Sequence, residues 1–349
     1  MFRHRRAVAI ENNELRLHAL LEGGHIAEVF DKRSGINPLW APPWPSIEPS
    51  VFNQRTHGEY GSGIDARLLA GIMGHNLCLD IFGGPTDEEA TAGLTPHGEA
   101  SVASYDAEIT SAGSAMTMRA DLRLAQIVVE RRIELHERAV RICETVTSLA
   151  SIDRPIGWTQ HVTLGPPFLE KGVTVFDASA SESKAHESAF GPADYLREGA
   201  EFSWPHAPRR GGGTWDLRRL PDSPTSSAYT AHLMDRARRH AFFVAFSPTH
   251  RLAFGYVWRR VDFPWMGIWE ENHSRPSLPW NGRTLARGME FGVSPFPESR
   301  RAMVDRGTLF GVPTYRWLPA RTRLDVEYWA TVSSASRAPE TLEWPGGTA

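Results

Sequence analysis

Apolar and polar residues alternate along residues 116–149 in three successive runs. The runs cover residues 116–124, 127–135 and 140–146 and are separated by short polar breaks. A period of two is typical of a β-strand that buries one face and exposes the other to water. The pattern therefore predicts three strands of an antiparallel meander, whose apolar face packs against a second sheet.

Shorter strand-like runs continue through the rest of the chain, whereas few segments have a helical period. These runs cover residues 14–21, 25–30, 75–82, 172–177, 228–234, 241–246, 251–258 and 324–332. No internal repeat is found, and strand-like runs lie on both sides of the proline-rich stretch 40–49. We therefore expect one all-β domain over residues 1–349, with few short helices and long functional loops.

The composition is that of a globular protein with an ordinary core, at 41% hydrophobic and 23% charged residues. A net charge of -3 leaves no basic surplus for nucleic acid or an anionic membrane. Cys78 and Cys143 have no Cys or His neighbour at a metal-ligand spacing. The chain has no membrane-length apolar run, and residues 11–14 are polar where a signal peptide is apolar. We expect a cytoplasmic protein without a metal, a cofactor, a nucleic-acid partner or a membrane partner; its oligomeric state stays open.

Two histidines lie in segments that could aim them into a cleft. Pro96 fixes the backbone before His97, and Gly98 permits a tight turn after it. His161 lies in a strand that ends at Gly-Pro-Pro, on the face that carries threonines rather than the apolar face. A solvated turn histidine and a surface strand histidine would fit the same letters.

Glu290 interrupts a short strand-like segment between glycines and aromatic residues. Partial desolvation there would raise the pKa of the carboxyl and make it a better base near neutral pH. A salt bridge to a nearby arginine is the alternative interpretation.

In order along the chain, His97, His161 and Glu290 resemble the aldose 1-epimerase (galactose mutarotase-like) superfamily. Its members carry a histidine in a His-Gly turn, a second at the end of a central strand, and a glutamate on a late strand. Residues 25–31, with the turn and Leu-Trp pair that follow, resemble its first hairpin. The resemblance implies a β-supersandwich of large antiparallel twisted sheets.

The resemblance also implies an enzyme that interconverts sugar anomers. Glu290 would be the base and His161 the acid, with His97 hydrogen-bonding to the substrate or helping to polarise it. Arg55 or Arg67 would match the sugar-binding arginine of the family. The segments after His161 and around Glu290 depart from the family pattern, which leaves the identity of the sugar open, including uronates and sugar phosphates.

Residues 269–275 are expected to form a rim of the cleft, in which Trp269 offers a flat apolar face to a sugar. Asn272 or His273 could bind sugar hydroxyls, although a charged surface loop explains the same residues. The other tryptophans in loop-like surroundings are Trp40, Trp44, Trp204, Trp215, Trp265 and Trp280, of which one or two are expected to contact a ligand.

Three other functions remain compatible with the sequence. The first is a non-catalytic carbohydrate-binding protein on the same fold. The second is a glycoside hydrolase or polysaccharide lyase that pairs Glu290 with Glu270 or Glu271. The third is a metal-dependent sugar isomerase, for which the chain lacks an HxH or HExxH spacing. The histidines available to it include His57, His75, His97 and His161.

Overall fold

A computed structural model describes residues 1–110 and 112–346 and consists mainly of antiparallel strands. Strands make up 45% of the chain and helices 7%. Residue 111 and residues 347–349, which the expected domain includes, lie outside the described residues. Within the described residues, no helix is long and apolar enough to cross a membrane.

The strands are numbered here along the chain. They are β1 (Ala7–Glu11), β2 (Leu15–Leu20), β3 (Ile26–Asp31), β4 (His75–Asp80), β5 (Asp106–Ile109), β6 (Ala115–Leu122), β7 (Ile127–His136), β8 (Ala139–Ser148), β9 (Arg154–Leu164), β10 (Val175–Ala178), β11 (Ala180–Ala185), β12 (Glu201–Ser203), β13 (His206–Pro208), β14 (Thr214–Asp216), β15 (Ser226–Met234), β16 (His240–Ser247), β17 (Leu252–Arg259), β18 (Trp265–Asn272), β19 (Leu285–Gly292), β20 (Thr308–Leu309), β21 (Val312–Pro313), β22 (Arg316–Leu318) and β23 (Arg323–Ser334). The helices are α1 (Ala66–Gly71), α2 (Asp87–Thr91) and α3 (Arg300–Arg306), with single 3-10 turns at Gly58–Tyr60 and Glu99–Ser101.

Two large sheets form the body of the protein. The eleven-stranded sheet has the order β1-β2-β3-β4-β9-β19-β18-β15-β11-β12, with β22 also paired to β9. The eight-stranded sheet has the order β10-β16-β17-β23-β8-β7-β6-β5. The predicted meander is confirmed, because β6, β7 and β8 are consecutive neighbours with alternating burial. Both sheets contribute buried side chains to one large hydrophobic cluster between them.

The central strands of the larger sheet are buried on both faces, which differs from the one-sided strands expected from the sequence. Every residue of β15 and β18 is buried. A second cluster, formed by α1, the loops and the tryptophans, covers the face turned away from the other sheet. Trp265 and Trp269 therefore lie within β18 and not in a loop. Their strand has no alternating pattern because apolar residues suit both of its faces.

A buried polar network anchors β9 to the eight-stranded sheet. Arg131 Nε lies 2.9 Å from Glu144 Oε1, and both side chains are fully buried. Glu144 also accepts hydrogen bonds from Trp158 Nε1 (2.9 Å) and Gln160 Nε2 (2.7 Å), both on β9. Tyr328 of β23 donates a third at 2.7 Å. The charge of Glu144 is thus compensated only while its partners stay in place.

Arg131→Met is expected to lower the free energy of unfolding by about 3–5 kcal/mol, because it leaves the carboxylate of Glu144 buried without its counter-charge. Urea denaturation followed by circular dichroism measures the change. Arg119→Met is the matched control, since Arg119 pairs with Asp121 on the exposed side of the same sheet, and its loss should be below about 1 kcal/mol. Equal losses in the two variants would contradict the structural role of the buried pair.

Candidate active site

His161 and Glu290 meet on adjacent central strands of the larger sheet. Strands β9 and β19 are antiparallel neighbours, and His161 is the direct cross-strand partner of Glu290. Alternation places Trp158 and Val162 of β9 in the core between the sheets, so that His161 points from the opposite face. The His161 Nε2 atom lies 3.0 Å from Glu290 Oε1. The predicted orientation of His161, away from its apolar neighbours, is confirmed.

Glu290 is almost completely buried, with 2% of its side chain exposed. Gly288, two residues earlier on the same face, makes room for it, since a Cβ at this glycine would lie 2.3 Å from Glu290 Oε1. Although His161 is close, no donor is aligned for a hydrogen bond to Oε1. Burial without such a donor raises the pKa of Glu290 well above its ordinary value. This carboxyl therefore has an increased affinity for a proton.

His161 is buried beside Glu290 and held from its other ring nitrogen. Thr163 Oγ1 lies 3.1 Å from His161 Nδ1, which fixes the ring plane and directs Nε2 towards Glu290. Burial lowers the pKa of His161 to about 4. Over the pH range between this value and the raised pKa of Glu290, the pair holds one proton between two adjacent groups.

His97 comes from a tight turn that packs against β4, as the sequence predicts. Its backbone N–H donates to the carbonyl of Gly83 (3.2 Å), and its carbonyl accepts from the N–H of Leu79 (3.2 Å). His97 and Gly98 both have positive φ, at 67° and 78°. A Cβ on Gly98 would lie 2.0 Å from the carbonyl of Leu79, so the turn requires glycine there. The His97 ring centroid lies 4.9 Å from that of His161.

Two side chains of β4 hold the Nδ1 atom of His97. Asn76 Nδ2 lies 3.0 Å from it and Cys78 Sγ lies 3.1 Å from it. Because the amide N–H of Asn76 is a donor, Nδ1 accepts and the ring proton resides on Nε2. Burial lowers the pKa of His97 well below its ordinary value, so the ring is neutral. His97 thus presents an N–H donor from Nε2.

A cavity of about 480 Å³ opens over His97, His161 and Glu290. Its other polar side chains are Asp65, Thr163, Tyr229 and Arg275, and its aromatic walls are Trp40, Phe82, Phe190, Trp269 and Trp280. The His161 ring centroid lies 6.0 Å from that of Trp269, which lies 6.0 Å from that of Trp280. A few convergent polar groups in an otherwise apolar cavity are typical of a small-molecule site.

Arg275 lines the cavity, although it is not among the residues proposed individually from the expected rim 269–275. Its guanidinium carbon lies 4.9 Å from the Trp280 ring centroid and 5.6 Å from the Trp269 ring centroid. Glu271 holds it from behind, with Arg275 Nε 3.3 Å from Glu271 Oε2. Its place in the segment 269–275, which begins at Trp269, is the one signal in the sequence.

Four residues proposed from the sequence for substrate binding lie away from the cavity. Arg55 is exposed in a turn, and Arg67 donates from Nε to the carbonyl of Pro49 (3.2 Å). Asn272 lies on the opposite face of β18 from Trp269 and donates to Ser226 Oγ (3.2 Å).

His273 follows the end of β18, and its Nδ1 lies 3.0 Å from the carbonyl of Gly282. These placements give the four assignments no support, whereas Trp269 does line the cavity.

The carboxylates that the hydrolase hypothesis pairs with Glu290 are engaged elsewhere. Glu270 lies on the face of β18 opposite to Trp269 and accepts a hydrogen bond from Tyr195 (3.2 Å). Glu271 accepts the N–H of Ser274 (2.7 Å) and pairs with Arg275. In the described part of the chain, the carboxylates that line the cavity are Asp65 and Glu290.

The histidines of the metal-isomerase hypothesis do not all converge. His57 stacks on Phe52 in a loop, with ring centroids 6.0 Å apart. His75 lies on the core face of β4, where its Nε2 atom is 2.9 Å from Gln160 Oε1. Of these histidines, His97 and His161 are the two that meet in the cavity.

A larger depression of about 930 Å³ lies on the outer face of the eight-stranded sheet. Its walls are rich in arginine and acidic residues that pair with one another. Arg141 pairs with Glu327 at 2.7 Å and Arg323 pairs with Asp325 at 2.8 Å. The cavity of about 480 Å³ contains His161 and Glu290, the buried groups with shifted pKa values, so this cavity is the candidate active site.

Comparison with solved structures identifies the fold. A protein provisionally assigned as an aldose 1-epimerase from Klebsiella pneumoniae superposes with a TM-score of 0.64 at 13% identity, over 93% of this chain and 78% of that one. A similarly assigned protein from Escherichia coli gives 0.62 at 12% identity, over 94% and 99% of the two chains. A galactose mutarotase-like protein from Clostridium acetobutylicum gives 0.60 at 11% identity, over 94% and 95%.

The chain therefore has the galactose mutarotase-like β-sandwich fold, and the fold expected from the sequence is confirmed. No protein-family model and no curated protein sequence matches the chain. At such low identity, the likeness concerns the fold, and the activity has to be argued from the residues of the site.

Proposed function

We propose that the protein is an aldose 1-epimerase-type enzyme that interconverts the anomers of a sugar by acid–base opening and closing of its ring. The observation that carries the proposal is the buried pair of His161 and Glu290, 3.0 Å apart at the base of a ligand-sized cavity. Two groups that share one proton suit a reaction in which one proton leaves the substrate as another arrives.

The lowered pKa of His161 and the raised pKa of Glu290 favour the shared proton on Glu290, and ring opening uses the less populated tautomer, a Glu290 carboxylate beside a His161 imidazolium. Glu290 removes the proton of the anomeric hydroxyl, while His161 gives its proton to the ring oxygen. The C1–O5 bond breaks and the C1=O double bond forms, so that the open-chain aldehyde lies between a neutral carboxyl and a neutral imidazole. No charge then remains on either group, which suits a buried site.

Ring closing reverses these transfers on the other face of the aldehyde. Rotation about C1–C2 presents the opposite carbonyl face to the C5 hydroxyl. His161 takes the proton of that hydroxyl as the C–O bond forms, and Glu290 returns its proton to the C1 oxygen. The enzyme ends in its starting state, so neither a redox partner nor a second substrate is consumed.

The neighbouring residues bind and orient the sugar. His97 donates from Nε2, because Asn76 and Cys78 hold its other nitrogen, and a neutral donor beside the developing C1 oxygen favours ring opening. The Trp269 ring offers its apolar face to sugar C–H groups next to His161. Arg275 adds a cationic group near the two tryptophans of the cavity.

Anomer exchange measured by NMR on a panel of aldoses, uronates and sugar phosphates tests the proposal. The protein is expected to accelerate exchange of at least one sugar above the spontaneous rate, and His161→Ala should remove the acceleration. His136→Ala is the matched control, because His136 lies at the exposed end of β7, and it should keep the wild-type rate.

Two other outcomes would overturn the proposal. Binding of a sugar without faster exchange would support a carbohydrate-binding protein. Release of reducing ends from an oligosaccharide would support a hydrolase, in which Glu290 would act with Asp65, the other carboxylate that lines the cavity.

A further inference from the structure

The cavity has a polar end and an apolar end. Glu290, His161 and His97 form the polar end. Leu68 and Leu69 of helix α1, and Ile72 directly after it, contribute to the lining elsewhere, each at most 9% exposed. These side chains belong to the hydrophobic cluster that also contains Trp40, Trp269 and Trp280.

A series of aromatic rings links the reacting pair to helix α1. The ring of Trp269 follows that of His161, and Trp280 follows Trp269, each at 6.0 Å between centroids. Trp44 lies 5.1 Å beyond Trp280, and its Nε1 atom donates to the carbonyl of Leu69 at 2.9 Å. Along this series of contacts, the rings of Trp269, Trp280 and Trp44 lie between His161 and the Leu69 carbonyl of α1.

The side chains of Leu68, Leu69 and Ile72 offer no hydrogen-bond partner to the hydroxyl groups of an ordinary sugar. Of the polar side chains that line the cavity, Thr163 already contacts His161, Tyr229 donates to the carbonyl of Pro295 (3.1 Å), and Asp65 is exposed to solvent just before α1. Arg275 is partly engaged by Glu271. A hydroxyl buried against Leu68 and Leu69 would lose its water without gaining a partner, at a cost of about 1–3 kcal/mol. Methylene or aryl groups would gain free energy in the same place.

We propose that the substrate is an aldose with a free anomeric hydroxyl and an apolar aliphatic or aryl substituent on a carbon remote from C1. This inference rests on the proposed function, which orients C1 towards His161 and Glu290. The anomeric hydroxyl must be free because it is the reacting group, so the apolar group is attached elsewhere on the ring. A cavity of about 480 Å³ lies within the range of about 300–1,000 Å³ that accommodates ligands larger than one sugar ring.

Binding is tested first with unreactive probes, so that the result does not depend on turnover. The probes are 1,5-anhydroglucitol and 1,5-anhydrogalactitol, which lack the anomeric hydroxyl, and their 3-, 4- and 6-O-benzyl ethers. At least one ether is expected to bind at least about tenfold more tightly than its parent in calorimetry. If every ether binds no better than its parent, the inference is overturned, whether or not the enzyme turns over a sugar.

Two variants locate the preference in the cavity. Leu69→Asn places an amide in the apolar wall, and Ile64→Asn does so at the rim, where the side chain is 59% exposed and its replacement spares the core. Either is expected to reduce the preference for the ether at least threefold. Ile152→Asn is the matched control, at 70% exposure and outside the cavity lining, and should leave the preference unchanged. A preference that persists in Ile64→Asn and in folded Leu69→Asn would overturn the inference.

Turnover of the reducing sugars then separates this inference from the proposed function. Anomer exchange of the preferred benzyl-substituted aldose is expected to have a kcat/KM at least about tenfold above that of the parent aldose. Equal values would overturn the inference and leave the epimerase proposal intact. Tight binding of the ether probes without exchange of any sugar would overturn the epimerase proposal and leave the apolar binding site supported.

Discussion

Glu290→Gln is expected to reduce the catalysed rate of anomer exchange by about 10²–10⁴-fold, the contribution typical of one positioned acid or base. The amide has the shape of the carboxyl but cannot take the proton of the anomeric hydroxyl. The Glu290 side chain lines the cavity and is 2% exposed. A water molecule therefore has little space to take over the role of the carboxylate. NMR exchange of a sugar that the wild type accepts measures the loss.

Binding separates a catalytic role from a structural one. Glu290→Gln should bind an unreactive 1,5-anhydro sugar within about threefold of the wild type, because the loss concerns the transition state more than the ground state. Glu201→Gln, the same change at an exposed position of β12 in the same sheet, is the control and should keep the full rate. If Glu290→Gln retained the wild-type rate, Glu290 could not be the base.

The sequence predicts the meander β6–β8 well because these strands have one wet face. Polar residues are required there at every second position, so the alternation is visible in the letters. Strands β15 and β18 lie under a second apolar layer, and water imposes no alternation on them. Trp265 and Trp269 therefore resemble loop residues in the sequence, although both are strand residues.

The parts of the candidate site differ in how far they could be predicted. For His161 and Glu290, strand alternation fixes the face, and the pairing of β9 with β19 then brings the two side chains together. His97 was recognisable from its Pro-His-Gly turn. The residues of the cavity wall depend on how loops and α1 pack onto the sheet, which no local pattern specifies. Arg275 is missed for this reason, and Arg67, which directly precedes the wall residue Leu68 on α1, is proposed although its side chain donates to the carbonyl of Pro49.

The pH dependence of kcat/KM is expected to be bell-shaped, because the reaction needs the pair of His161 and Glu290 with one proton. Burial lowers the pKa of His161 to about 4. Below this pH the pair gains a second proton, the base is lost, and the rate should fall about tenfold per pH unit. Burial raises the pKa of Glu290 well above its ordinary value, and above that raised value the pair loses its only proton and with it the acid. Because the two groups are 3.0 Å apart, the acid and alkaline limbs of the profile report the titration of the pair as a unit and not of each residue separately.

Initial rates of anomer exchange at low substrate concentration, with the spontaneous rate at each pH subtracted, give this profile. Circular dichroism at the same pH values shows whether a limb reflects unfolding instead. His161→Gln, which keeps a hydrogen-bonding group but no titrating ring, should lose the acid limb set by the histidine and retain only a low residual rate. A wild-type rate that rises continuously with pH, without an alkaline limb, would mean that no group has to deliver a proton to the ring oxygen. In that case Glu290 would act as a base alone, and the proton shared with His161 would have no part in the reaction.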